Sequence, residues 1–244
     1  MNMVSVDPKY TPLLQNITSF FEASSQSVHK ARNELKVIDF ENEKLLVKSF
    51  KVPHLINKIA YTFFRDSKAK KSYYNTLRLG QFAPEAIGYL EMKKHGLLER
   101  SYFVSARFAY DFTIREPLLD SHFPDREKIF RAFALFTVQL HEAGIEHLDY
   151  SPGNILIKAT DDGYIFKIVD VNRMKFKNLT TRERLQNFSK LWAKDADLKI
   201  MIDAYADATS LNREEAWEIA RKASQQHKDR KNFKKRLKGI PVVD

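Results

Sequence analysis

Between residues 27 and 51, in SVHKARNELKVIDFENEKLLVKSFK, apolar side chains alternate through Leu35, Val37 and Ile38 and then recur as Leu45, Leu46 and Val47. A period near two marks strands, and the polar residues 41–43 between the runs mark a turn. The segment therefore predicts a β-hairpin whose last apolar run leads into Lys48. AKKSYYNTLRLGQ predicts a helix closed by Gly80, and AIGYLEMKKHGLLERSYFVSARF predicts two further strands turning at His95 and Gly96. The first hundred or so residues thus read as sheet with one notable helix. Phe20 and Phe21, ahead of them, fit either a packed helix or a membrane-facing edge.

Beyond Asp111 the period changes. Ile129, Phe133, Phe136 and Leu140 recur at spacings of four, three and four, which predicts a helix with Asp125 as its cap and Gly144 at its end. Two short strand-like runs, 155–158 and 165–169, are separated by the turn DDG. The remainder is helical, including a helix that Asn212 opens with Glu215 three residues later, as in a capping box. Trp192 and Trp217 fall on predicted helices, where core packing is the first expectation. Two parts result: a sheet-rich part over 1–108 and a helical part over 109–244 that ends in a basic tail.

Composition narrows the function classes. With 244 residues and 43% hydrophobic content, the chain is long enough for a large core. It has no cysteine, which excludes disulfides and thiolate metal sites and agrees with a reducing compartment. The start of the chain lacks a basic segment followed by an apolar run, and no stretch approaches the roughly 20 apolar residues that cross a bilayer. Export by that route and membrane spanning are not expected. Seven histidines show no H-x-x-x-H spacing, so zinc is not expected either. A formal charge of +10 favours an anionic partner, and much of it lies in RDSKAKK (65–71) and HKDRKNFKKRLKG (227–239). Charge alone does not separate nucleic acid, anionic lipid and phosphorylated substrates.

HLDYSPGNIL (147–156) carries the chemistry. Asp149 lies two residues after His147, and Asn154 five residues after Asp149, the spacing H-x-D-x-x-x-x-N. In phosphoryl transfer one aspartate orients the acceptor hydroxyl, an asparagine and a second aspartate hold Mg²⁺, and a lysine neutralises phosphate charge. Asp170, in KIVDVN, follows two apolar residues and stands sixteen beyond Asn154, room for a two-strand hairpin. Lys48, in LLVKSF, sits in an apolar strand and needs an anionic partner to offset its desolvation. Asp, Asn, Pro and Gly also gather in turns for local reasons, but that does not account for the ordered set of Lys48, Asp149, Asn154 and Asp170.

The order of these elements resembles an α+β, bilobal protein-kinase-like fold, with a β-rich amino-terminal lobe and a mostly helical carboxy-terminal lobe. Within that superfamily SYFVSARF, HLDYSPGNILI, KIVDVNRMKF and TTRERLQNFSKLW resemble the lipopolysaccharide core kinases of the Kdo/WaaP family, over residues 30–192. The resemblance implies transfer of the γ-phosphate of ATP, with Mg²⁺, to a Kdo or heptose hydroxyl of a lipid-linked sugar at the inner face of a Gram-negative inner membrane. It implies Asp149 as the catalytic aspartate, Lys48 as a catalytic and nucleotide-binding residue, and Asn154 and Asp170 as metal ligands. An anionic membrane surface is expected as a partner and nucleic acid is not.

Departures from ordinary protein kinases sharpen the expectation. No glycine precedes Gly80, so a glycine-rich phosphate cover is excluded, and Lys30 and Arg32 in HKARN are the charged substitutes. Leu148 replaces the arginine that grips a phosphorylated activation loop, Val171 and Asn172 follow Asp170, and no A-P-E follows, which disfavours a peptide acceptor. Arg173 and Lys175 are candidates for an acceptor phosphate or carboxylate. Tyr74 stands where the family places the glutamate that pairs with the strand lysine, and Glu85 is the alternative counter-ion. The alternatives to the sugar kinase are another small-molecule or ribosome-associated kinase of the same fold and a nucleotide-binding pseudokinase.

Overall fold

The computed structural model describes residues 2–30, 33–51 and 54–241, and the chain divides into two compact units. The first comprises Met1–Ala109 with Asp170–Asn172, the second Tyr110–Val169 with Arg173–Asp244.

The first unit is built on a six-stranded antiparallel sheet: β1 (Asn2–Ser5), β2 (Ser27–Lys30), β3 (Glu34–Phe40), β4 (Glu43–Lys51), β5 (Ala86–Lys94) and β6 (Leu97–Ala106), in the order β1-β5-β6-β4-β3-β2. Both expected hairpins form. Glu41 and Asn42 take positive φ of 46° and 66°, and His95 and Gly96 take 50° and 78°, the backbone hand that tight two-residue hairpin turns require. β4 pairs with β3 on one side and β6 on the other, so Lys48 lies on an interior strand, not a solubilising edge.

Alternation along β4 decides which helix each face receives. Leu45 and Val47 join Ile38, Leu90, Tyr102 and Val104 under two short helices, α1 (Thr11–Gln15) and α2 (Ile17–Ala23), which contribute Leu13, Leu14, Ile17 and Phe21. Those helices, and β1, are additions to the sheet-with-one-helix expectation, and the burial of Phe21 in this cluster makes it a core residue. On the other face Phe50 packs with Ala69 and Tyr73 of α4 (Lys68–Leu79) and with Tyr89. Ser67 caps α4 by accepting from the Lys70 N–H, and Gly80 ends it at φ 51°. A short α3 (Leu55–Ile59) and a π-helical turn (Ala60–Phe64) precede α4.

At Gly88, in β5, a Cβ would stand 2.6 Å from the Val4 carbonyl oxygen and 2.8 Å from Leu14 Cδ1. The closest atom is backbone, so relief requires β1 to move. Gly88→Ala is expected to destabilise this unit by about 1–3 kcal/mol, read as a lowered thermal midpoint; an unchanged midpoint would show that β1 is only loosely held on β5.

The second unit centres on α6 (Arg126–Glu142), preceded by β7 (Phe112–Thr113) and α5 (Arg115–Leu119). Ile129, Phe133, Phe136 and Leu140 are buried, as their spacing predicts, and Phe130 is buried beside them. Asp125 precedes the helix, but at φ 54° its side chain makes no cap bond; its carbonyl accepts from the Ile129 N–H instead. β8 (Ile145–His147) pairs with β11 (Met174–Phe176), while β9 (Ile155–Thr160) and β10 (Gly163–Ile168) form a hairpin that β7 extends. Then come α7 (Thr181–Asn187), α8 (Asp195–Ala208) and α9 (Arg213–Arg236). The full capping box lies at α7, where Thr180 and Glu183 exchange bonds, whereas at α9 Asn212 accepts from the Glu215 N–H. α9 carries the basic segment as far as Arg236 in helix. Trp192 ends a 3₁₀ turn (Phe188–Leu191) partly exposed, with Lys235 5.6 Å from its ring centroid, so it is not a core residue.

Candidate active site

In the second unit, β8 delivers its last residue, His147, into full burial. Its Nε2–H donates to the Val169 carbonyl at 3.0 Å and its Nδ1 accepts the Asp149 N–H at 3.0 Å. One nitrogen donating and the other accepting defines a neutral imidazole. His147 is therefore a positioning residue: it orients the backbone at Asp149 and ties it to the end of the β9–β10 hairpin.

Two further anchors bracket Asp149. Tyr150 is fully buried, packs on Phe133 and shares a hydrogen bond of 3.0 Å with Thr137; burial pushes its phenol pKa up. Asn154 donates its side-chain N–H to the Asp149 carbonyl at 2.9 Å, and the 3₁₀ turn Pro152–Asn154 is closed onto the hairpin by the Val169 N–H on the Asn154 carbonyl. The Asp149 carboxylate itself makes no hydrogen bond among the described residues and is half-buried. A rigid loop thus presents a carboxylate whose oxygens are not spent on holding the loop, the arrangement general-base or hydroxyl-orienting chemistry needs.

The first unit holds Lys48 and Asp170. Lys48 Nζ lies 2.7 Å from Asp170 Oδ1 and 5.4 Å from the centroid of Phe50; its side chain is 15% exposed. Asp170 takes φ 56°, a left-handed backbone conformation that Asp tolerates better than most residues and that clusters at functional positions. Asn172 donates to the same Oδ1 at 3.3 Å. Glu85, offered by the sequence as the partner of Lys48, is exposed and forms no ion pair among the described residues; Asp170 takes that role.

Tyr74 does not replace the family's glutamate as a partner of Lys48. It is partly exposed and packs edge-on against Tyr73 and near Tyr89. The next residue on α4, Asn75, supplies a different tie, donating to the Val171 carbonyl at 2.7 Å and so holding the 170–172 segment to this helix. Sequence reading missed Asn75 because it looked for a charge at that helix position. Lys30 closes β2, and Arg32 lies outside the described residues.

In the first unit Asp170 carries a carboxylate, and in the second Asn154 keeps an amide oxygen, since its N–H is committed to Asp149; each is an oxygen donor of the type that Mg²⁺ takes more readily than zinc does.

Behind the loop 147–154 a buried relay supports it. Asn187 donates to the His147 carbonyl at 3.0 Å and accepts from His141 Nε2 at 3.3 Å, and His141 Nδ1 accepts from the Tyr205 hydroxyl at 3.0 Å. Burial pushes the His141 pKa down to about 4, so the ring stays neutral and keeps this donor pattern at ordinary pH. On the solvent side of the same turn, burial and the neighbouring Arg230, Lys231 and Arg173 lower the Lys190 pKa.

Comparison with known proteins follows the same lines. The family described as lipopolysaccharide kinase (Kdo/WaaP) matches residues 77–214, more than half of the chain. No curated protein matches it. A solved structure of WaaP in complex with acyl carrier protein superposes with a TM-score of 0.61 at 17% identity, covering 92% of this chain and 99% of that one. At that identity the likeness speaks to fold: a β-rich amino-terminal part and a helical carboxy-terminal part in both.

Proposed function

Because the chain belongs to the lipopolysaccharide kinase (Kdo/WaaP) family, we propose that it transfers the γ-phosphate of ATP to a sugar hydroxyl, of Kdo or heptose, in the inner core of lipopolysaccharide. Asp149 orients that hydroxyl and accepts its proton. Lys48 neutralises nucleotide phosphate charge, Asp170 and Asn154 hold Mg²⁺, and Lys30 and Arg32 take the phosphate contacts that a glycine-rich cover makes elsewhere. Bound Mg²⁺ supplies charge neutralisation on the phosphates.

The observation that carries the reading is the free Asp149 carboxylate on a loop fixed through His147, Tyr150 and Asn154. A glycolipid acceptor is favoured over a peptide because the chain passes from Asp170 through β11 into α7 at Thr181, which leaves no long activation segment to seat one. The experiment is incubation with γ-labelled ATP and Mg²⁺ and, in turn, Kdo-bearing lipid, heptosylated lipid, casein or no acceptor. Label on a glycolipid is expected; label on casein, or on nothing, would overturn the reading.

We also propose peripheral attachment to an anionic membrane through α3 and the π-helical turn. No helix among the described residues is long and apolar enough to cross a membrane. Yet Leu55, Ile56, Phe63 and Phe64 are exposed, Ile56 and Phe64 at 81%, and the exposed cations Lys51, Arg65 and Lys71 flank them in the sequence. Apolar residues beside unneutralised cations complement the acyl-headgroup boundary of anionic lipid. Ile56→Ser with Phe64→Ser is expected to weaken sedimentation with phosphatidylglycerol-containing vesicles at least about tenfold; undiminished binding would discard this surface.

A further inference from the structure

We propose that Arg173, Lys190, Arg230 and Lys231 form an anion-binding subsite beside Asp149 that takes a carboxylate or phosphate group carried by the acceptor. The proposal rests on the kinase reading above for its role, but the subsite itself follows from how three elements of the second unit are tied.

The first tie is backbone. The Leu148 N–H donates to the Arg173 carbonyl at 2.8 Å, which fixes Arg173 against the residue preceding Asp149. The second is Asn187, whose bond to the His147 carbonyl holds the end of α7 on the catalytic loop. Lys190 follows three residues later, in the 3₁₀ turn Phe188–Leu191. The third tie fastens α9 to that turn. Lys228 Nζ donates to the Ala193 carbonyl at 2.7 Å, the His227 ring meets Trp192 edge-on at 6.0 Å, and Lys190 Nζ lies 3.4 Å from His227 Nδ1. Arg230 and Lys231 come three and four residues after His227, on the same side of α9.

Charge accounting points to a ligand. None of Arg173, Lys190, Arg230 and Lys231 forms an ion pair among the described residues, although acidic side chains on α9 such as Asp229 lie close by in sequence. Asp229 is engaged with Gln225. Arg230, Lys231 and Arg173 lower the Lys190 pKa and Asp149 raises it. Arg173, Arg230 and Lys231 are exposed and Lys190 is half-buried beside them, so the cations outnumber the Asp149 carboxylate at this corner of the second unit. Burial, Lys190, Lys231 and Arg230 push the His227 pKa down to about 4, so His227 adds no charge and is available to accept from Lys190. An anion that entered there would relieve the repulsion acting on Lys190. An anion bound there stands next to the carboxylate that orients the acceptor hydroxyl. It would give the acceptor two points of attachment and so fix which hydroxyl meets Asp149.

Two measurements test it, one without turnover. Inorganic phosphate and, separately, acetate are titrated into the full chain saturated with a non-hydrolysable ATP analogue, following the His227 ring resonances, identified with His227→Gln. Saturable shifts are expected in the wild type and their loss in Lys190→Gln/Arg230→Gln, and the stronger of the two titrants indicates which anionic group the acceptor presents. Absence of saturable binding by either anion overturns the subsite, whatever the protein phosphorylates. In steady-state assays with the labelled glycolipid, the same double variant is expected to raise the acceptor KM at least about tenfold, with the KM for ATP unchanged and partial rescue by Lys190→Arg. A raised ATP KM, or a fall in kcat at unchanged acceptor KM, would place these cations on the nucleotide and overturn the assignment. If no acceptor is labelled while the phosphate titration succeeds, the function above fails and the anion site stands.

Discussion

Asp149→Asn is expected to lower kcat for phosphoryl transfer by about 10³-fold, within the 10²–10⁴ that a positioned acid-base group contributes, while leaving the KM for ATP and the thermal midpoint unchanged. The physical case is local. The loop that carries Asp149 is held by its backbone: His147 Nδ1 takes its N–H, and the Asn154 side chain and the Ser151 N–H take its carbonyl. Its carboxylate holds nothing in place, so an amide of the same shape leaves the fold intact and removes only the charge and the basic lone pair. The His147 ring, by contrast, is buried and bonded on both nitrogens, so His147→Ala is a structural variant and a poor test of chemistry. Retention of more than about a tenth of the wild-type rate by Asp149→Asn would remove Asp149 from the reaction and return it to the status of a turn residue.

The site was readable from sequence to the extent that its chemistry is local. His147, Asp149 and Asn154 fall within eight residues, and their spacing follows from a single turn between β8 and β9. The hairpins were readable for the same reason, since turn residues and alternation sit side by side at 41–43 and 95–96. What escaped reading depends on distant partners. β1 is four residues whose pairing strand lies more than eighty residues on, at Gly88–Glu91. α1 and α2 are short, and Asn16 interrupts the apolar spacing of Leu13, Leu14, Ile17 and Phe21. Asn75 has an unremarkable helical surroundings in sequence and gains meaning only from the Val171 carbonyl. The cations near Asp149 come from three elements that span residues 173–231, so what reads along the chain as a basic tail becomes, in part, the lining of a site.

That same distinction answers the question raised by Tyr74. A kinase strand lysine needs an anionic counterpart, because a desolvated ammonium group without one is costly. Here the counterpart comes not from α4 but from Asp170, and α4 contributes through Asn75, which fixes the 170–172 segment by its backbone. Loss of the helix glutamate is thus compatible with an oriented lysine, and the pseudokinase reading loses its main support in sequence.

The Lys48–Asp170 pair carries the other large effect. Asp170→Asn is expected to lower kcat by about 10²–10³-fold and to raise the Mg²⁺ concentration for half-maximal rate, because an amide is a weaker ligand for a hard cation than a carboxylate. Lys48→Met should also lower kcat about 10²-fold but leave the Mg²⁺ dependence in place. The two residues face each other at 2.7 Å. On the proposed reading, bound nucleotide and metal would give each a new partner, phosphate oxygens for the ammonium and the cation for the carboxylate, so that neither would be left desolvated and uncompensated. The stability cost of either change is small, up to about 1 kcal/mol, since Asp170 is 42% exposed and solvent screens the pair. Because both variants damage the same charge arrangement, the double variant should lose less than the product of the single losses. Strict multiplicativity would mean that the two groups act independently and that their pairing is incidental. An Asp170→Asn enzyme with unaltered Mg²⁺ dependence would remove Asp170 from the metal and with it the exchange of partners.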